Sequence, residues 1–264
     1  MASRNMSLSL NWKALSSRIG HKKPQEIKSK KLAKGHKYQA KDVSKLRKAQ
    51  EIIRTASTKL LTPLEFALWA RTSSSTFSVA SSDAKIAVDY SDKKKSAPGK
   101  FLAIDCEFVG VGPNDQSALA RVSLVNYYGV VLLDTYVKPE QRVTNWRTWV
   151  SGVTPQHMRN AVSYKEARER VKNIIDGRVL VGHAVHNDLE CLGISVPKHL
   201  IRDTSRFPEF KKQNGGKMPS LKKLCRVYLN LEIQNGLHSS VEDAQATMAI
   251  FRLHQKAMES HFTS

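Results

Sequence analysis

Two carboxylates interrupt the stretch of this chain that most resembles a buried β-strand. Residues 101–111 read FLAIDCEFVGV, and apart from Asp105 and Glu107 nothing in the run argues against burial. Side chains alternate along a strand, so acids at i and i+2 share one face. Side by side on a buried strand they repel each other and are costly to desolvate unless a cation neutralises them. Hard divalent ions such as Mg²⁺ or Mn²⁺ favour oxygen ligands of this kind. A D-x-E pair is common on protein surfaces. Here it gains weight from its apolar setting, with Leu102, Ala103 and Ile104 before it and Phe108 and Val109 after it. Cys106, between the acids, projects to the opposite face and is expected to pack in the core.

The same packed texture continues to the end of the chain. ALARVSLVNYYGVVLLDTYV reads as two strands joined around Tyr128-Gly129. SYKEARERVKNIIDG reads as a helix capped by Ser163, with Glu166 completing a capping box and Gly177 as the stop. RVLVGHAV is a short buried strand followed by a helix from Asn187, and HLIRDT is another strand. SLKKLCRVYL is a helix capped by Ser220, and Ser240 opens a long final helix through about Glu259. Three antiparallel strands, then strands alternating with helices, predict an α/β fold: a mixed sheet flanked by helices on both faces.

Residues 1–99 differ. They hold 21 Lys+Arg against 7 Asp+Glu, a net of +14, whereas residues 100–264 hold 22 against 16, a net of +6. HKKPQEIKSKKLAKGHK (His21–Lys37) has seven lysines, one acid and too few apolar residues to offset the ordering of its backbone. The expected organisation is a basic, largely disordered extension over 1–99 and a folded domain over 100–264. Two short helices are expected within the extension. SKLRKAQEIIRT supports one over 45–60, with Leu46, Ala49, Ile52 and Ile53 at helical spacing. TPLEFALWA supports one over 63–71, with Thr62 as N-cap and Pro63 at the first position. A Ser/Lys-rich linker follows. Such a basic excess attracts polyanions, nucleic acid first among them, with a merely solvated tail as the plainer alternative. Cys106, Cys191 and Cys225 include no C-x-x-C pair for zinc and suggest no disulfide framework. No signal-like or membrane-spanning apolar run occurs, so a soluble protein with no membrane partner is expected.

Further acids fall where a mixed sheet gathers ligands. In VLVGHAVHNDLECL, Asp188 stands just past a strand, at the edge where open α/β sheets bind their ligands. In GLHSSVEDAQATMAIFRLH, His238 precedes the last helix and Asp243 lies in its first turn. Each has an ordinary reading when taken singly. Asp188 and Asp243 suit the positive end of a helix, and His238 suits an exposed loop. Four carboxylates and one histidine that converge would instead suit phosphodiester hydrolysis with two divalent ions. A histidine with an unperturbed pKa of about 6.5 can take a proton from water near neutral pH.

On these residues the chain resembles the DEDDh group of exonucleases. AIDCEFVGVG, LVGHAVHNDL and HSSVEDAQAT match the three short motifs of that group, in order. DCE-x-VG, LARVSLVN, NWRTWVSGVTPQHM, RDTSRFP and the early NWKAL resemble its RNA exonuclease 4 subgroup, related to the interferon-stimulated exonucleases. The resemblance is dense over about residues 100–258 and slight before them. It implies a ribonuclease H-like fold and a 3′–5′ exonuclease that releases nucleoside 5′-monophosphates from RNA. It further implies that Asp105, Glu107 and Asp243 surround one metal, that Asp105 bridges to a second held with Asp188, and that His238 is the general base. The subgroup often has Met where this chain has Phe108, which can stack on the terminal base. Arg121, in LARVS, is expected either to reach a phosphate or to be structural. The resemblance also points to pre-ribosomal RNA as substrate, pre-ribosomal particles as partners, and a nuclear, nucleolar location. Two other readings stand beside it: a non-catalytic RNA-binding ribosome-assembly factor on a nuclease fold, and a DNA 3′–5′ exonuclease, because nothing in the motifs reads the 2′-hydroxyl. With no apolar stripe left over after the core is assigned, a monomer is expected.

Overall fold

The computed structural model describes Leu64, Leu68 and residues 92–263 except Asn235. The helix expected over 45–60 therefore lies outside the described residues, as does most of the one over 63–71. Leu64 and Leu68 are both helical and both buried.

Helix α1 (Lys93–Ser96), capped by the Asp92 carboxylate, leads into β1 (Phe101–Val111). β2 (Gln116–Asn126) and β3 (Val131–Lys138) follow. Their turn forms because the Asn126 side-chain oxygen accepts from the Tyr128 and Val130 amides while Gly129 takes a φ of 76°. Next come β4 (Val143–Asn145), α2 (Thr148–Ser151), β5 (Val162–Ser163) and α3 (Tyr164–Ile175). The chain then runs through β6 (Val179–Gly182), α4 (His186–Leu192), β7 (Ile201–Asp203), α5 (Pro208–Gln213) and α6 (Leu221–Leu224) to α7 (Ser240–Thr263).

The sheet order is β5-β3-β2-β1-β6-β7, with β4 pairing the far end of β1. β1 is antiparallel to β2 along most of its length but parallel to β6 only over Phe101–Ala103. This mixed sheet is the one the order of elements predicts. Alternation along β1 feeds two cores. Ala103 joins a cluster with α7 residues such as Met248, Ile250 and Phe251, and Leu64 and Leu68 belong to the same cluster. Leu102, Ile104 and Cys106 join Val171 of α3 and Leu189 and Leu192 of α4 on the other face. Burying each large apolar side chain stabilises the fold by about 1.5–3 kcal/mol, so both layers clamp β1 in place.

Local differences from expectation have local causes. Ser163 caps α3 by accepting the Glu166 amide, but the Glu166 carboxylate pairs with Arg170 one turn on, so the reciprocal half of the capping box is missing. Ser220 caps α6 by accepting the Lys223 amide, and the helix widens after Leu224 into a π turn over Cys225–Leu229. The final helix runs four residues past Glu259, to Thr263.

Candidate active site

β6 stops pairing with β1 at Ala103, and β4 does not begin until Gly110. Between them one edge of β1 is open, and Asp105 and Glu107 stand on that stretch. This is the crevice beyond the carboxyl end of a parallel strand, where open α/β sheets bind ligands. Both acids lie on the α7 face of β1. One carboxylate oxygen from each of Asp105, Glu107 and Asp243 falls within 4.8 Å of the others. Cys106 does not join them.

Asp243 is set in place by a chain of polar contacts. Ser240, at the start of α7, meets Ser123 of β2 at 2.6 Å between hydroxyl oxygens. Ser123 in turn donates to Asp134 of β3 at 2.8 Å. Asp134 receives the Arg121 guanidinium through two nitrogens, at 2.8 and 2.9 Å. Burial alone would raise the Asp134 pKa, but the bonds from Arg121 and Ser123 hold it below the ordinary aspartate value.

The acids of the cleft are in the opposite condition. Glu107 and Asp243 are 5% and 4% exposed. Glu107 Oε1 and Asp243 Oδ1 have no hydrogen-bond partner among the described residues. Burial, then the neighbouring Asp243, pushes Glu107 up to about 8. Burial raises Asp243 to about 6, against a bond from the Gln234 amide at 2.9 Å. Burial, then Asp188, Asp243 and Glu107, raises Asp105 well above the carboxylate range. Clustered, desolvated carboxyls with orphan oxygens are an unfavourable arrangement for a chain alone. The donor set and the orphan oxygens fit hard divalent cations.

Asp188 reaches the same edge from the other layer. It is buried in the first turn of α4, and burial pushes it up to about 7, moderated by hydrogen bonds from the Cys106 thiol and backbone. It heads the charges acting on Asp105 but does not join the three-acid cluster. His238 approaches from the loop before α7, its Nδ1 3.9 Å from Asp243 Oδ2. Burial, then the nearby Lys222, lowers its pKa, so the imidazole is neutral at neutral pH. A cleft of about 340 Å³ opens over Asp105, Glu107, His238 and Asp243.

Residues 102–251 match the RNase T-type exonuclease family. The chain belongs to that exonuclease family. It is similar to RNA exonuclease 4 of Debaryomyces hansenii, 47% identical over 262 residues that cover 96% of this chain and 94% of that protein. RNA exonuclease 4 of Saccharomyces cerevisiae is 55% identical over 171 residues, covering 64% of this chain and 59% of that protein. Among solved structures, the Saccharomyces cerevisiae Pan2 pseudoubiquitin hydrolase–RNA exonuclease module in complex with AAGGAA RNA matches with a TM-score of 0.55 and 27% identity. The match covers 66% of this chain and 31% of that one. The sheet is thus the ribonuclease H-like sheet of a 3′–5′ exonuclease, and the cleft lies at its acidic edge.

The remaining expected residues of this exonuclease divide. Phe108 lines the cleft just past a bulge, where the partner of β1 jumps from Arg121 to Leu119. Arg121 is not on the cleft wall; it is committed to Asp134 and lies over the Tyr136 ring. The cleft also has walls that the motifs did not assign. Arg147, Trp149, Ser151, His183 and Gln234 all line it. His183 is fixed by a 2.9 Å contact with Thr204. Arg147 and Trp149 belong to NWRTW, which resembles the subgroup but has no helical or strand period and no acid that would place it on the cleft. Gln234 adopts a left-handed φ of 56°, which nothing in its sequence context announces.

Proposed function

We propose that this exonuclease hydrolyses RNA from the 3′ end and releases nucleoside 5′-monophosphates. The observation that carries the reading is the trio Asp105, Glu107 and Asp243 gathered on one face, with orphan oxygens on the buried Glu107 and Asp243 and with His238 beside them. In this reading Asp105, Glu107 and Asp243 would hold one divalent ion, Mg²⁺ or Mn²⁺, and Asp105 with Asp188 would hold a second. Bound there, such ions supply positive charge to the developing oxyanions and acidify water. His238, with its Nδ1 3.9 Å from Asp243 Oδ2, accepts the proton of the attacking water. Phe108 stacks on the terminal base. Arg121 acts one step back, by holding Asp134 and the serines that seat α7.

The RNA substrate is supported by the relatives called RNA exonuclease 4 and by the Pan2 structures in complex with RNA. The basic first 99 residues supply phosphate contacts of no sequence preference. Pre-ribosomal RNA as the substrate, pre-ribosomal particles as partners, a nucleolar location and a monomeric state complete the proposal.

Matched RNA and DNA oligonucleotides, given Mg²⁺ or Mn²⁺, test it against wild type and Asp243→Asn. Wild type is expected to release mononucleotides from RNA and the variant none. An inert wild type, or an unimpaired variant, would return the chain to the class of non-catalytic RNA-binding factors. Preference for DNA would move the substrate class.

A further inference from the structure

The cleft wall carries an exposed indole that neither the acids nor the core requires. Trp149 is 78% exposed, the most exposed of the large apolar side chains among the described residues. Its neighbour in NWRTW, Trp146, packs against the cluster of Val109, Ala120 and Val153. One tryptophan of the pair is therefore an anchor and the other is presented to solvent.

The backbone that presents Trp149 is tightly fixed. α2 begins after Arg147 at a φ of 46° and ends at Gly152 at a φ of 65°, so left-handed residues bracket a single helical turn. The Arg147 guanidinium holds the Asp115 carboxylate at 3.0 Å and donates to Ser117 at 2.9 Å. Thr148 donates to the Val153 carbonyl and Ser151 to the Trp146 carbonyl. The His238 amide donates to the Val150 carbonyl at 3.2 Å, tying this turn to the loop of the histidine. Leu237, itself 62% exposed, brings its Cβ to 3.6 Å from where a Cβ on Gly152 would stand. The indole thus forms an apolar rim of the cleft on a backbone tied to the loop of His238. An indole has only two side-chain torsions, so ordering it against a flat partner costs little conformational entropy.

We propose that Trp149 is a base-stacking platform for the RNA strand entering the cleft. The proposal rests on the exoribonuclease reading above. Trp149 lines the same cleft as Glu107, Phe108 and His238, so the molecule that meets the indole is the one that enters the acid site. An indole face accepts any base, because every base has a π-face, which suits an enzyme that removes nucleotides one after another. Phe108, set on β1, and Trp149, set on α2, then contact bases from separate elements.

The test pairs Trp149→Ala and Trp149→Phe with RNA oligonucleotides made abasic at each of the last few 3′ nucleotides in turn. Assays in about 200 mM salt suppress phosphate binding by the basic extension. For intact RNA, Trp149→Ala is expected to raise KM by about 5- to 100-fold with kcat within about twofold, and Trp149→Phe to recover most of the loss. At one abasic position the wild type is expected to lose what Trp149→Ala has already lost, so the two changes do not add. The same cycle read by fluorescence anisotropy in the Asp243→Asn background reports stacking without turnover. Additive effects at every position in both assays overturn the proposal and leave the rim to a protein partner. Absent mononucleotide release from wild type would sink the exoribonuclease reading instead. The anisotropy cycle would then decide the stacking by itself.

Discussion

His238 owes its neutral imidazole to burial and to the Lys222 ammonium, both of which push its pKa below the ordinary histidine value. A base in that state is ready to accept a proton without first losing one. Replacing it with Ala is expected to lower kcat by about 10²- to 10⁴-fold, with RNA affinity and thermal stability close to wild type. Single-turnover assays with a short labelled RNA would measure this, and a loss below about tenfold would remove His238 from the role of base. Asp105 and Glu107 were legible as ligand candidates because carboxylates in an apolar strand are costly to desolvate unless a cation meets them. Asp188 and Asp243, each suited to a helix's first turn, became candidates only when taken together with that pair. Trp149, Arg147 and Gln234 were not, since nothing in their local pattern distinguishes a cleft wall from an ordinary loop.

Elements carry the next level of control. The turn α2 and the loop bearing His238 meet at Gly152, where a Cβ would lie 2.8 Å from the His238 carbonyl oxygen. Its φ of 65° adds a backbone cost of about 1–2 kcal/mol for any L side chain. Gly152→Ala should therefore displace the His238 loop as well as strain the turn. The expected result is a loss of stability of about 1–3 kcal/mol in urea denaturation and a fall in kcat larger than the fall in RNA affinity. Unchanged kcat in a protein destabilised by that amount would uncouple the two elements. The glycine itself could be read as a turn residue, but its partner His238 lies far along the chain and leaves no local trace.

At the scale of the molecule, the buried acids make stability depend on pH. Glu107, Asp188 and Asp243 are raised to about 8, 7 and 6, against ordinary values near 4 in an unfolded chain. Between those limits these three groups bind more protons in the folded state than in the unfolded state, so their contribution to stability falls as pH rises from about 4 to about 8. It outweighs the opposite contribution of His183, His238 and His254, whose pKa values burial lowers. In EDTA, the melting temperature should decline across that window, and Glu107→Gln should flatten its upper part. A divalent ion competes with those protons and should raise the melting temperature more at pH 8 than at pH 5. Scanning calorimetry with and without Mg²⁺ checks both. A Glu107→Gln variant with the wild-type slope, or an ion effect indifferent to pH, would contradict the assignment.

The sequence alone determined the order of the main elements and the mixed sheet, because apolar period and caps are local properties. It named the acids as candidates but did not reveal the short β4, β5, α2 and α5. It left open which acids would touch. Tertiary structure decided that by ending the β6 pairing at Ala103, which opens the edge of β1, and by seating α7 through Ser240, Ser123 and Asp134. The same contacts committed Arg121 to Asp134 and brought Asp188 in from the opposite layer. Pairing limits and buried hydrogen bonds join residues distant along the chain, so only the folded molecule could fix them.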